Sequence, residues 1–288
     1  MKLSDIINKG LLKTKLEWKI DTYKHYKNHA DHFLNWANEN GYIYHSDFTE
    51  EKLIDYIAYN KPTCSNRTLN IRIGNLRRLF ERAEVSIGAF DKIPKFKEIR
   101  RTYNMLTVSQ LREIKNYAFS LNESDSNNLI HKAIILLLMQ TGVRRKELCL
   151  IEKKNVDLKA RTILLTSTKT NQERTVLFKE NAIPVLEKLL SIKTNHKYLL
   201  HNDLKNRPIT EYDVDYVIRK KLKNELGYKM LHPHMFRHSL ASIMVTNNAP
   251  LNIVQKILGH ENIQTTERYL HMTEDHVKKT YDKSFDLD

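Results

Sequence analysis

Five side chains in the second half of the 288-residue chain have types and spacings suited to one piece of chemistry. Arg144 lies in Gln140–Leu148 (QTGVRRKEL), just after a Thr-Gly break that ends an apolar run. His234 and Arg237 lie three positions apart in His232–His238 (HPHMFRH), so on a helix they face the same way. His260 closes Leu258-Gly259-His260, and Tyr269 follows in Thr265–His271 (TTERYLH). Attack on a phosphodiester needs a nucleophile, positive charge on the phosphoryl oxygens and a proton for the leaving oxygen. Arg144 and Arg237 are permanently charged forks that can hold non-bridging oxygens bidentately. Tyr269 is a candidate covalent nucleophile. A free tyrosine ionises near pH ~10, so it needs a nearby base or positive field; His234 could accept its proton, and His260 could bond the phosphate or orient the tyrosine.

These elements resemble the tyrosine recombinase (phage integrase) family. Thr141–Leu148 matches its T-G-[LV]-R-x-x-E-L arginine motif, His234 and Arg237 match H-x-x-R, Leu258–His260 matches L-G-H, and Tyr269 stands after a Thr-Thr pair where the family has its nucleophile. Counted from Arg144, successive matches are 90, 3, 23 and 9 positions apart. The family also carries a lysine on a hairpin between the two arginines. Thr168–Arg174 (TKTNQER) offers Lys169, which would be the general acid, but it lacks the family's flanking glycines. The resemblance runs from about Asn104 to the end. It implies strand cutting through a 3′-phosphotyrosine with no metal or nucleotide cofactor, and four protomers acting on two sites in double-stranded DNA. The short stretch before the first predicted helix leads us to expect no arm-binding domain.

Other assignments of the same residues are weaker. Tyr281 is the competing C-terminal tyrosine, but no L-G-H or Thr-Thr precedes it. Arg145 adjoins Arg144, and one of the two is an ordinary surface or backbone-contacting residue. His232, His234 and His238 suggest a metal cluster, yet no cysteine or suitably placed glutamate completes a four-ligand set. Leu240–Gly259 could pass for a helix-turn-helix, which would suit a regulator. A related enzyme that only relaxes DNA would share the tyrosine chemistry.

The elements that must position these groups are mostly helical. Tyr23–Asn40, Thr49–Tyr59 and Asn66–Ala83 show apolar residues at helical spacing, with Gly41 as a stop signal. Thr107 and Gln110 form a capping-box pattern, and Leu129–Gln140 reads as a buried helix. Thr162–Ser167 and Arg174–Phe178 read as a β-hairpin, and Pro250 is placed at N1 of a last helix stopped by Gly259. We therefore expect a mainly α fold with one small antiparallel β-sheet in the second domain. This would be a SAM-like helical core-binding domain plus a tyrosine-recombinase catalytic domain. The expected limits are 1–90 for the first, 91–104 for a basic linker, and 105–288 for the second with a protomer-contacting tail.

Charge supports a polyanionic partner. The net formal charge is +14, and residues 61–101 hold 11 basic and 4 acidic side chains, half of the excess. One face of the third helix carries Arg67, Arg72, Arg77 and Arg78, and the linker adds Lys95, Lys97, Arg100 and Arg101, all candidate DNA contacts. Residues 261–288 reverse the sign, with 4 basic and 7 acidic. Seven glycines and six prolines argue against a β-sandwich or a glycine-rich phosphate loop. Two distant cysteines make a disulfide framework unexpected, and no apolar run approaches membrane-spanning length, so the expected location is the cytoplasm.

Overall fold

The computed structural model describes residues 1–98, 104–166, 173–192, 196–202, 205–228, 230–259, 262, 264–267 and 269. Two compact units divide the chain, Met1–Arg101 and Thr102–Asp288. The division falls inside 91–104: residues 91–98 belong to the first unit and Asn104 to the second.

Unit 1 is helical: α1 (Leu3–Glu17), α2 (Ile20–Glu39), α3 (Glu50–Asn60), α4 (Asn66–Arg82) and a single turn, α5 (Ala89–Lys92). Helix α1 occupies the stretch ahead of the first helix that the sequence predicts. Its apolar stripe Leu3, Ile6, Ile7 and Leu11 is buried, and Gly10 lets it cross α4 closely. A Cβ at Gly10 would lie 2.3 Å from the Leu79 carbonyl oxygen. The core is aromatic: Phe33 packs edge-on against Phe48 at 5.0 Å and Tyr56 at 5.3 Å between ring centroids. Such pairs add about 0.5–1.5 kcal/mol each beyond area burial.

Helix α4 is capped by Ser65, whose hydroxyl accepts from the Thr68 amide. Its buried stripe is Leu69, Ile73, Leu76, Leu79 and Phe80. One flank fixes the following segment: Asn70 donates to the Phe96 carbonyl and accepts from the Phe96 amide, both at 2.9 Å. Asn66 donates to the Lys97 carbonyl at 2.9 Å. Residues 91–98 are thus laid along α4.

Unit 2 surrounds α7 (Ser126–Thr141), which is buried nearly all round, as a central helix must be. Before it comes α6 (Val108–Ser120), started by the Thr107–Gln110 capping box. After it come α8 (Arg145–Cys149) and an antiparallel sheet of β1 (Val156–Asp157), β2 (Thr162–Leu165) and β3 (Arg174–Leu177). In the β2–β3 hairpin Ile163 pairs with Val176 and Leu165 with Arg174. Next are α9 (Ile183–Ser191) and a second sheet, β4 (His201–Asn202) with β5 (Arg207–Pro208), where one sheet was expected. Then follow α10 (Glu211–Asp215), a π-helical stretch Tyr216–Lys221, α11 (Leu222–Leu226), α12 (Pro233–Thr246), α13 (Leu251–Leu258) and the single turn α14 (Gln264–Glu267). Pro250 is the N-cap of α13 rather than its first residue, and Gly259 ends that helix in the left-handed conformation. Both cysteines are free thiols, and burial first of all pushes that of Cys149 up to about 12. Among the described residues no helix is long and apolar enough to cross a membrane.

Candidate active site

Three helix ends and one strand converge in unit 2. Helix α7 ends on Gly142, α13 ends on Leu258-Gly259, and Arg144 caps α8. The carbonyls left over at helix C-termini need donors and carry the negative end of the helix dipole. Arginines fill both needs. Arg237, on α12 and 4% exposed, donates to the Gly142 carbonyl (2.8 Å) and to that of Leu258. Arg144 donates to the Gly259 carbonyl at 3.1 Å.

Glu147 is the hub. It accepts from the Arg144 backbone amide (2.8 Å) and guanidinium (2.7 Å), and from both terminal nitrogens of Arg174 on β3 (2.8 and 2.7 Å). Burial by itself would raise this carboxyl. The Arg174 fork, the Arg144 amide and the Arg144 guanidinium outweigh it and hold Glu147 at about 2. Gly259 completes the arrangement at φ +64°, where a Cβ would lie 2.6 Å from Arg174 Cδ. Only glycine suits both the backbone conformation and the approach of that side chain.

The cluster is cation-rich. Arg144, Arg174 and Arg237 share one carboxylate, Glu147, leaving two positive charges in excess. Burial, then the fields of Arg144 and Arg174, push Arg237 down to about 9, so it stays charged at pH 7. His234 is lowered by burial, then by Arg237 and His232.

Tyr269 is 3% exposed and packs with Ala241, Val245, Val254 and Leu258. Its field acts on Arg237. Its hydroxyl bonds Nδ1 of His238 at 2.6 Å. Arg144, His234, Arg237 and Tyr269 are thereby gathered in one region. Lys169 and His260 lie outside the described residues. The neighbouring arginine is sorted as well: Arg145 turns to Glu211 (2.7 Å) and Asp215 on α10, away from Glu147. Among the described residues no group of three or more His, Cys, Asp or Glu could hold a metal ion. The sequence motifs passed over Arg174, and His238 entered only in the weaker metal-cluster reading. No periodicity links position 147 to 174 or 238 to 269.

These observations meet an independent one: the model of the phage integrase family matches residues 104–276. The chain belongs to the phage integrase family. It is a tyrosine recombinase, an enzyme of site-specific DNA strand breakage and rejoining. A probable integrase/recombinase of Acholeplasma phage L2 is 28% identical over 232 residues, 81% of this chain and 79% of the phage protein. The tyrosine recombinase XerC of Staphylococcus saprophyticus subsp. saprophyticus is 36% identical over 169 residues, 57% of this chain and 56% of XerC. The fold is that of the Tn1549 transposon integrase solved with transposon right end DNA (TM-score 0.75, 16% identity, 97% of this chain and 99% of that one). It is also that of a lambda integrase dimer bound to a core site (TM-score 0.70, 16% identity, 93% and 95%).

In unit 1 of this recombinase the candidate DNA contacts fall into two groups. Arg67, Arg78, Lys95 and Lys97 are exposed. Arg72 and Arg77 are half-buried and engaged internally, Arg72 with Asn60 and His32, Arg77 with the Phe90 carbonyl. Arg100 and Arg101 lie outside the described residues.

Proposed function

We propose that this recombinase cuts one strand of duplex DNA with Tyr269, holding the scissile phosphate on Arg144 and Arg237. The observation that carries the assignment is the excess of guanidinium over carboxylate in a buried site beside a tyrosine hydroxyl. A buried cation with like charges for neighbours is costly, and an anion relieves that cost. A guanidinium has five N–H donors, and Arg237 spends two on carbonyls, which leaves donors for phosphoryl oxygens. His234, in the first turn of α12, and His260 complete the ring of donors, and Lys169 protonates the leaving 5′ oxygen. The 3′-phosphotyrosine keeps the energy of the broken bond, so rejoining needs no nucleotide, and the arginines supply the charge that a metal would.

Residues 1–90 act as the core-binding domain, with Arg67 and Arg78 on the backbone and Lys95 and Lys97 continuing the track along 91–104. Residues 105–288 form the catalytic domain. Four protomers act on two sites, and the acidic segment 261–288 packs on a neighbouring protomer, because a net charge of −3 is repelled by DNA. Deleting residues after His271 is expected to weaken cooperative assembly more than single-site binding. Equal loss of both would contradict that role.

The test of the catalytic assignment is a nicked suicide duplex, chosen by binding selection from a random library and incubated in chelator. Wild type is expected to give a denaturant-resistant protein–DNA adduct. Tyr269→Phe is expected to bind the duplex and give none. An adduct that persists in Tyr269→Phe refutes the nucleophile, and an adduct that needs a divalent metal refutes the arginine account.

A further inference from the structure

Tyr269 is sealed from solvent, and that limits where its proton can go. The ring is 3% exposed and lies among Ala241, Val245, Val254 and Leu258. Nδ1 of His238 touches the hydroxyl at 2.6 Å. Proton transfer requires a base within hydrogen-bond reach of the group it serves, about 2.6–3.2 Å. His238 meets that condition on the same helix that carries His234 and Arg237.

We propose that His238 seats the nucleophile of this recombinase and takes its proton as the tyrosine attacks. The inference rests on Tyr269 as the nucleophile. As the Oη–P bond forms and the P–O5′ bond breaks, the Oη proton passes to Nδ1 of His238, leaving an imidazolium. The departing O5′ takes its proton from the general acid, Lys169 in the account above. In rejoining, the incoming 5′-hydroxyl returns its proton to that acid, and the imidazolium returns its own to Oη. Atoms and charge balance in both directions with no further reactant.

Geometry and the protonation state of the ring permit this direction of transfer. Donating to Nδ1 pairs the proton of a phenol whose residue is 3% exposed. Burial, then His234, Arg237 and His232, holds His238 down at about 4, so the ring is neutral at pH 7 and has a lone pair to offer. A phosphate bound to Arg237 offsets one of the charges that depress it, so His238 becomes a stronger base when the substrate arrives. His234 lies one turn away, with ring centroids 6.4 Å apart, and remains available to the phosphate.

The experiment measures single-turnover adduct formation on a nicked duplex together with duplex binding and thermal midpoint. His238→Ala removes the acceptor. His238→Asn offers an oxygen that can take the hydrogen bond but not the proton, and serves if the alanine variant does not fold. Both are expected to bind DNA as wild type does and to form adduct about 100-fold more slowly or worse. Replacing Tyr269 with difluorotyrosine, whose phenol ionises far more readily, is expected to recover most of the loss in His238→Asn. A purely structural histidine would show no such rescue. Wild-type adduct rates in either variant, or a slow rate that fluorination leaves unchanged, overturn the proposal. An adduct surviving in Tyr269→Phe would instead remove the nucleophile on which it rests, so the two failures are distinct.

Discussion

Replacing Glu147 with glutamine tests the hub of the site. The substitution keeps shape and removes the one carboxylate shared by Arg144 and Arg174. Glu147 is held at about 2 against an ordinary value of 4.5. At ~1.4 kcal/mol per pH unit, that drop corresponds to about 3 kcal/mol of folding stability. Breaking a buried ion pair by removing one partner costs roughly 3–5 kcal/mol, which agrees. For a unit of this size, roughly 2–4 °C is lost per kcal/mol, so the unfolding midpoint at pH 7 is expected to fall by about 6–12 °C. The sign with pH follows from a depressed carboxylate. The contribution is complete above about pH 4.5 and is lost as pH falls through about 2. Melting curves of wild type and Glu147→Gln at pH 7, 5, 4 and 3 should therefore draw together below pH 4.5. Adduct formation should also drop, because Arg144 loses the partner that orients it. A midpoint within 2 °C of wild type at pH 7, or a gap constant to pH 3, would refute the reasoning.

Four further outcomes follow from particular positions. Gly259→Ala is expected to lose roughly 1–2 kcal/mol from its positive φ alone, and Gly259→Asn should do no better, because its Cβ still meets Arg174; melting and adduct yield check both. Gly74 lies on the exposed side of α4 between Ile71 and Arg78, with nothing within 4 Å of an added Cβ. Gly74→Ala should stabilise unit 1 by ~1 kcal/mol of helix propensity and raise its melting temperature. Arg78→Ala should lower the salt dependence of binding by about one unit, whereas Arg72→Ala should act on unit 1 stability through Asn60 and His32. His131, held at about 4 by burial and then by Lys221, accepts from the Lys221 amine at 3.1 Å and must be neutral to do so. Its contribution is complete above about pH 6.5 and is lost as pH falls toward 4. His131→Gln should flatten the melting curve across that window.

What was legible in the sequence followed from local pattern. Apolar residues at 3.6 spacing gave α2, α3 and α4, a nearly continuous apolar run gave α7, and β-branched runs gave the β2–β3 hairpin. The Thr107 capping box stands where its motif put it. Helix α1 escaped the sequence reading; Gly10 inside it lets the Leu79 carbonyl pass. Strands β1, β4 and β5 are two residues each, too short for any periodicity. The arginine count on α4 overstated the free charge, since Asn60, His32 and the Phe90 carbonyl claim Arg72 and Arg77 from elsewhere in the chain. In the site, motif order brought out Arg144, His234, Arg237 and Tyr269. Motifs name side chains, however, and much of the scaffold here is backbone: the carbonyls of Gly142, Leu258 and Gly259 aim the arginines.

The central claim is that the strand is carried by Tyr269. Trapped adduct from a nicked duplex, digested with protease and nuclease and read by mass spectrometry, tests it directly. The account predicts a 3′-nucleotide phosphate on the peptide containing Thr265, Thr266 and Tyr269. A nucleotide on the peptide containing Tyr281, or on any residue other than Tyr269, would contradict it.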